Sequence, residues 1–379
     1  MKLIHLSDLH LGKRLNEFPL LEDQEEILIQ ILGILDEEKP DGLILAGDVY
    51  DKPVPSAEAV ELFDRFLVQL AQQNLQVFII SGNHDSPERL AFGGRLMDDS
   101  GVHFSPVYKG EIHPIRLSDE WGVVAVWMLP FVKPVHVRRF FPEEEIGSYT
   151  DALRVAIGQM KRDPTERNVL ITHQFVTGAE RSESEEISVG GTDNVDVSVF
   201  EGFDYVALGH LHRPQWVGSE HIRYCGTPLK YSFSEAKDHK SVSVVEIGAP
   251  GEVSVRTVPL IPKREMTELR GSYEALTLKS FYEGTSYRDD YVRVILTDET
   301  DIPDAFAKLR VIYRNLMKLE YDNRRTRNSG FAAEAADVEA KSPLQLFAEF
   351  YAQQNGSELT DEQSEFLRTK IERIWEGEA

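Results

Sequence analysis

Read for its apolar and polar positions, the first two thirds of the chain follows a repeating pattern. Short runs of apolar residues at 3–6, 42–46, 77–80, 168–171 and 205–208 have the length and make-up of buried strands. Between several of them apolar residues recur every three or four positions, notably over 23–38 and 56–74, as on one face of a helix. Strand, helix, strand in repetition predicts a layered α/β domain. In such domains ligands gather where a strand ends and its loop begins.

Each of the five apolar runs leads directly into a short polar motif. These are Asp8-x-His10, Gly47-Asp48-x-x-Asp51, Gly82-Asn83-His84-Asp85, Thr172-His173 and Gly209-His210-x-His212, and they hold five of the chain's eleven histidines. The pattern therefore predicts that the motifs meet on one edge although they span two hundred residues. Asp8, His10, Asp48, Asn83, His173, His210 and His212 offer carboxylate, amide and imidazole donors and no thiolate, a set suited to manganese, iron or zinc. They are too many for one ion that must keep an open position. Two ions roughly 3.5–4 Å apart, sharing one carboxylate, would use them all and leave room for water and phosphate. Asp48, after a glycine on a middle strand, is the natural bridge.

The ordered set resembles the calcineurin-like metallophosphoesterases, and in detail the bacterial SbcD, Mre11-like nuclease subunits, densely from Met1 to about Leu260 and more loosely beyond. The resemblance implies a layered metallophosphoesterase sandwich with a small α/β capping domain and a C-terminal helical hairpin. It implies that Asp8, His10, Asp48 and His212 hold one metal, and Asp48, Asn83, His173 and His210 the other, with manganese as the expected ion. It makes His84 a catalytic histidine facing the scissile phosphate. Asp51 is expected to pair with His84, as an aspartate does in related phosphatases. His84 would then stabilise or protonate the departing oxygen, work suited to a group that titrates near neutral pH. Asp85 is expected to support the site or to cap the following helix. His5, His103, His113, His136, His221 and His239 lack motif context and are expected to serve packing or surface.

Composition adjusts this picture. With 379 residues and 41% hydrophobic content the chain can build two or three domains. Its single cysteine, Cys225, excludes an internal disulfide and suits a reducing cytoplasm. No signal-peptide pattern opens it, and no apolar run approaches the roughly 18 residues of a membrane span. A net charge of -23 and a pI near 4.9 do not suit binding of DNA by bulk attraction. Part of that charge lies in the metal ligands, and part in acidic runs such as 183–186. The basic candidates for DNA contact are Lys13 and Arg14 after the first motif, and the cluster Arg324, Arg325 and Arg327. A nuclease this acidic needs a partner, or a second copy, to supply much of its grip.

Beyond Pro259 the pattern changes. Residues 1–262 form the expected metallophosphoesterase domain and 263–329 a small cap, with strands at 266–269, 291–296 and 316–321 and helices at 272–281 and 303–314. Alanine and acidic residues over 330–341 predict a linker. In 342–379 two helices are expected, starting after Ser342 and Thr360, with apolar faces formed by Leu344, Phe347, Phe350 and Tyr351 and by Phe366, Leu367, Ile371, Ile374 and Trp375. Aromatic residues on such faces suit anchors in an interface. In the resembled family a hairpin here binds the coiled-coil root of an SbcC/Rad50-like ABC-type ATPase, the cap contacts DNA, and helices near the site form a homodimer. The function implied is a metal-dependent DNA nuclease subunit, with 3'-5' double-strand exonuclease and single-strand or hairpin endonuclease activity, acting on DNA ends and hairpins in repair and recombination. A phosphodiesterase or phosphatase acting on small molecules or phosphoproteins would use the same centre, but it needs neither cap nor hairpin.

Overall fold

The structure, a computed structural model, describes residues 1–183, 185, 193–323, 342–355 and 358–376. It divides into two compact units, one made of Met1–Glu185 with Asn194–Lys263, the other of Asp193 with the described residues from Arg264 onward.

In the first unit the elements are β1 (Lys2–Leu6), α1 (Leu21–Glu38), β2 (Gly42–Ala46), α2 (Ala57–Gln72), β3 (Gln76–Ile80), β4 (Val102–Phe104), β5 (Ile115–Asp119), β6 (Gly122–Met128), α3 (Tyr149–Gly158), β7 (Arg167–His173), β8 (Tyr205–Gly209), β9 (Gln215–Val217), β10 (Ser219–Tyr224), β11 (Ser241–Ile247) and β12 (Val253–Pro259). They make two six-stranded sheets, ordered β12-β11-β1-β2-β3-β4 and β9-β10-β8-β7-β6-β5. The five expected strands are present, and each is one of the parallel strands of its sheet. What the apolar runs did not predict is their division: β1, β2 and β3 lie in one sheet, β7 and β8 in the other. The motifs therefore converge from two sheet ends that meet, not from a single edge.

The two sheets face each other across an apolar core. Leu3, Ile44, Ala46, Phe78 and Ile80 from the first pack with Val124, Val126, Val169, Ile171 and Ala207 from the second. Side chains alternate along each strand, so the same strands carry a second apolar set outward. On the second sheet Trp127, Leu170, Val206 and Leu208 join Ala152, Leu153 and Ala156 of α3 in a further core. Being apolar on both faces is what made these strands read as continuous apolar runs. Helices α1 and α2 pack on one another. α2 buries Ala59, Leu62, Phe63, Phe66 and Leu70, and Ser56 caps it by accepting the Ala59 N–H.

Two histidines outside the motifs behave as packing residues. His103 is satisfied by Asp98 and Gln76 at 3.0 and 2.9 Å. His5 lies wholly buried in β1, with Nδ1 2.9 Å from the Tyr205 hydroxyl, and burial together with the nearby Arg223 lowers its pKa to about 3. The unfolded chain takes up this proton near pH 6.5 and the folded chain does not, so the stability His5 contributes is complete above that value and falls away as pH drops through 6.5 toward 3. The difference in unfolding free energy between the metal-free wild type and His5→Gln should therefore shrink by about 1.4 kcal/mol per pH unit between pH 6 and 4. Urea titrations at several pH values would measure it, and a constant difference would contradict this account.

The second unit has a parallel three-stranded sheet, β13 (Met266–Gly271), β14 (Tyr291–Leu296) and β15 (Asn315–Tyr321), in that order. Its core joins Leu269, Val292, Val294 and Leu316 to Leu276 and Leu309 from helices. The single helix expected over 272–281 is instead two, Tyr273–Thr277 and Lys279–Tyr282, broken at an extended Leu278. Thr277 Oγ1 turns back to the Tyr273 and Glu274 carbonyls, local bonding that competes with a continued helix.

The two expected terminal helices span Pro343–Asn355 and Asp361–Glu376 and pack against each other. Each opens on a reciprocal cap, Ser342 with Gln345 and Thr360 with Gln363. Phe347, Phe350 and Phe366 are 43%, 59% and 62% exposed, and Leu344, Tyr351, Leu367 and Ile371 are half-buried, so the apolar faces remain open. Arg324, Arg325, Arg327 and the expected linker at 330–341 lie outside the described residues, as do the side chains of Ile374 and Trp375.

Candidate metal centre

All seven expected ligands gather at the joined sheet ends. Donor atoms of Asp8, His10 and His212 lie within 4.8 Å of one another, and so do those of Asp8, Asp48 and His173. Asn83 Oδ1 stands 2.9 Å from His173 Nε2 and 3.0 Å from His210 Nδ1. Asp48 Oδ2 lies 3.3 Å from His173 Nε2 and 3.7 Å from His10 Nε2, so one oxygen faces both halves of the ligand set.

The backbone is strained to achieve this. Asp8, His10, Asp48 and His210 all have positive φ, at 53°, 44°, 51° and 103°. Non-glycine residues rarely adopt such angles, and the cost of each is of order 1–3 kcal/mol. The motif glycines are needed for close approach. A Cβ at Gly82 would sit 2.1 Å from Asp48 Oδ1, and one at Gly209 would sit 1.8 Å from the Ala46 carbonyl oxygen. His173 Nδ1 is 2.8 Å from that same Ala46 oxygen, which can only accept, so Nδ1 donates and Nε2 is left to bind a cation.

Several residues brace the ligand loops. Asp85 accepts the Val49, Tyr50 and Gly82 N–H groups at 3.1, 2.9 and 3.0 Å, tying the Asp48 loop to the Asn83 loop. It is the support expected, while the following helix is capped by Ser86. Gln24 Nε2 donates to the His10 carbonyl at 2.7 Å, and its Oε1 accepts the Gly12 N–H at 3.0 Å. Glu185 accepts the His212 N–H at 2.6 Å. In the sequence Glu185 falls within the acidic run 183–186, and nothing in its local pattern marks it as a support for a ligand.

The donor set fits cations by its electrostatics. Both ring nitrogens of His10 and Nε2 of His210 are buried without a hydrogen-bond partner, a costly arrangement that leaves one lone pair on each ring available to a cation. Burial opposes charging His173, yet the Asp48 carboxylate overcomes this and raises its pKa to about 9. Burial likewise opposes ionising Asp48, but His173 and His84 hold its carboxyl well below the usual range. The carboxylates thus demand positive charge, and a divalent ion supplies it in place of a proton.

His84 stands beside the ligands, its ring centroid 4.8 Å from that of His10, and its N–H donates to Asp48 Oδ1 at 2.9 Å. The expected pairing with the Asp51 carboxylate takes another form. His84 Nδ1 lies 3.0 Å from the backbone carbonyl of Asp51, while the Asp51 carboxylate holds Lys13 Nζ at 2.8 Å. The tight turn into this loop puts the carbonyl rather than the side chain behind the ring. Lys13, proposed for DNA, is thereby bound to Asp51 and lies over the Tyr231 ring, whereas Arg14 is exposed in a small hairpin and donates to the Glu17 carbonyl. Cys225 is buried against Ser7, its thiol pushed up to about 12 by burial, and serves packing.

The fold and its ligand set define a phosphoesterase of the calcineurin-like class, and residues 1–214 match that family. Residues 262–355 match a family described as the type 5 capsule protein repressor C-terminal domain. The SbcD subunit of the SbcCD nuclease from Staphylococcus epidermidis is 35% identical over 323 residues, covering 84% of this chain and 85% of that protein. Its counterpart in Staphylococcus saprophyticus is 31% identical over 378 residues, covering 99% and 97%. The chain belongs to the SbcD family. Among solved structures, a dimetal phosphatase from Danio rerio aligns over 69% of this chain and 97% of its own, at 11% identity and a TM-score of 0.42, too loosely to bear on the site.

Proposed function

We propose that this chain is the metal-dependent nuclease subunit of an ATPase–nuclease complex, cutting phosphodiester bonds at DNA ends and hairpins with manganese. When bound, two divalent ions activate water and neutralise charge on the phosphate. Asp8, His10 and His212 would hold one ion, Asn83, His173 and His210 the other, and Asp48 both. His84, held at Nδ1, keeps Nε2 for the departing oxygen.

The observation that carries this reading is that a full dinuclear ligand set and a C-terminal hairpin occur together in a chain that aligns with a nuclease component over 99% of its length. The open faces of Phe347, Phe350 and Phe366 suit the ATPase subunit as occupant. Phe92 and Leu96, each 86% exposed shortly after the Asn83 motif, support a homodimer.

The deciding assay offers linear duplex, hairpin and single-stranded DNA and a chromogenic phosphodiester, with manganese or chelator, with and without the ATPase subunit. Manganese-dependent cleavage of DNA, enhanced by the ATPase, is expected. Activity confined to the chromogenic compound under every condition would refute the proposal. Truncation after Lys341 should abolish ATPase binding and leave manganese-dependent cleavage of single-stranded DNA intact; retained binding in a pull-down would refute the hairpin's role.

A further inference from the structure

Behind the His212 imidazole lies a buried polar cluster that belongs to none of the five motifs. Glu235, in the short turn Phe233–Glu235, is 0% exposed. Its Oε1 lies 3.5 Å from His212 Nδ1, and its Oε2 accepts a 2.6 Å hydrogen bond from Lys240 Nζ. Lys240, 3% exposed, also donates to the His212 carbonyl and to Thr227 Oγ1, both at 2.8 Å. The Thr227 N–H donates to that carbonyl as well, at 3.1 Å.

Burying a carboxylate and an ammonium is costly, and well-packed apolar residues in their place are often as stable or more so. The pair therefore calls for a use. A carboxylate does one thing here that an apolar residue cannot, which is to accept a hydrogen bond from the His212 Nδ1–H. One ring nitrogen of His212 is within reach of the Asp8 and His10 donors, and with Nδ1 facing Glu235 the nitrogen left for that task is Nε2. His173 is oriented by a backbone carbonyl, but the turn around His212 presents its ring with an acidic side chain instead. Lys240 neutralises the acid and, by holding the His212 carbonyl, ties the peptide and the ring of this ligand to one anchor.

We infer that Glu235 is a positioning residue for His212, fixing the ring so that Nε2 is presented to the metal held with Asp8 and His10, with Lys240 as its buried counter-ion. The inference rests on the two-metal reading of the site and adds a residue on which one ion depends more than the other.

The test uses the full-length protein, stripped with chelator and titrated with manganese by calorimetry, with the His212 tautomer read by histidine-selective nitrogen NMR and assigned with His212→Asn. Wild type should bind two ions and show His212 protonated at Nδ1 in the metal-free state. Glu235→Ala should weaken one site by roughly 10–100-fold, leave the other unchanged and mix the two tautomers. Glu235→Gln keeps an acceptor oxygen and should recover most of the affinity. The double variant Glu235→Ala/Lys240→Met removes both charges without stranding the lysine and should stay as weak as Glu235→Ala. Wild-type affinity and a single tautomer in the double variant would mean that Glu235 only serves Lys240, which overturns the inference. A wild type that binds no manganese would instead overturn the two-metal reading beneath it.

Discussion

Asp48→Ala is expected to leave the protein folded and without either metal ion, with cleavage reduced to the level seen in chelator, on the order of 10³-fold or more, about 4 kcal/mol in the barrier. The reason is geometric. Asp48 Oδ2 is the oxygen within 3.3 Å of His173 Nε2 and 3.7 Å of His10 Nε2, one ligand from each half of the set. The other oxygen accepts the His84 backbone N–H, so the same carboxylate also places the loop that carries His84. Removing it deprives the site of its shared anion and leaves the remaining imidazoles facing each other. Asp48→Asn keeps the shape and loses the charge, and should fall between the two. Metal content after dialysis, measured beside activity on a chromogenic phosphodiester, decides the matter. Two ions per chain in Asp48→Ala would rule out a bridging role.

His84→Gln should behave oppositely, retaining both ions and losing about 10²–10⁴-fold in turnover, the range that general acid catalysis supplies. His84 braces Asp48 through its backbone N–H, which glutamine preserves, while its ring meets that of His10 edge-on without supplying one of the seven expected ligands. Its ring is oriented by a carbonyl, not a carboxylate, and this yields a sharper expectation. Asp51→Asn leaves the carbonyl in place, so it should cost far less than His84→Gln, within about tenfold, chiefly by releasing Lys13. Equal losses in the two variants would restore the carboxylate to the role that the sequence assigned it. Equal metal loss in His84→Gln and Asp48→Ala would end the division between catalysis and binding.

What was legible in the sequence was contiguous. Each motif is a few residues long and begins where an apolar run stops, so both the ligands and the strands that present them could be read together. The capping residues Ser342 and Thr360 were legible for the same reason, because a cap acts over three positions. What stayed hidden depended on distance or on the main chain. Nothing local shows that β1 to β3 and β7 to β8 belong to different sheets, since strands buried on both faces look alike wherever they pair. Nothing local distinguishes the Asp51 carbonyl from its carboxylate as the partner of His84. Glu185 and Glu235 look like ordinary acidic residues until the chain folds them against His212. The break at Leu278 was missed because helical spacing continues through it, while Thr277 ends the helix by a side-chain bond.

The division of the ligands between two sheets has a thermodynamic meaning of its own. Asp8, His10, Asp48 and Asn83 arrive from one layer, His173, His210 and His212 from the other, and the shared core between the layers is held chiefly by apolar contact. Cations that bind only the assembled arrangement favour the folded state by mass action, by about 2.7 kcal/mol per ion at a hundredfold excess over its dissociation constant. Loading the centre and fastening the two layers are then one equilibrium, and losing the ions would lower the stability of the folded chain by the same amount that binding them adds.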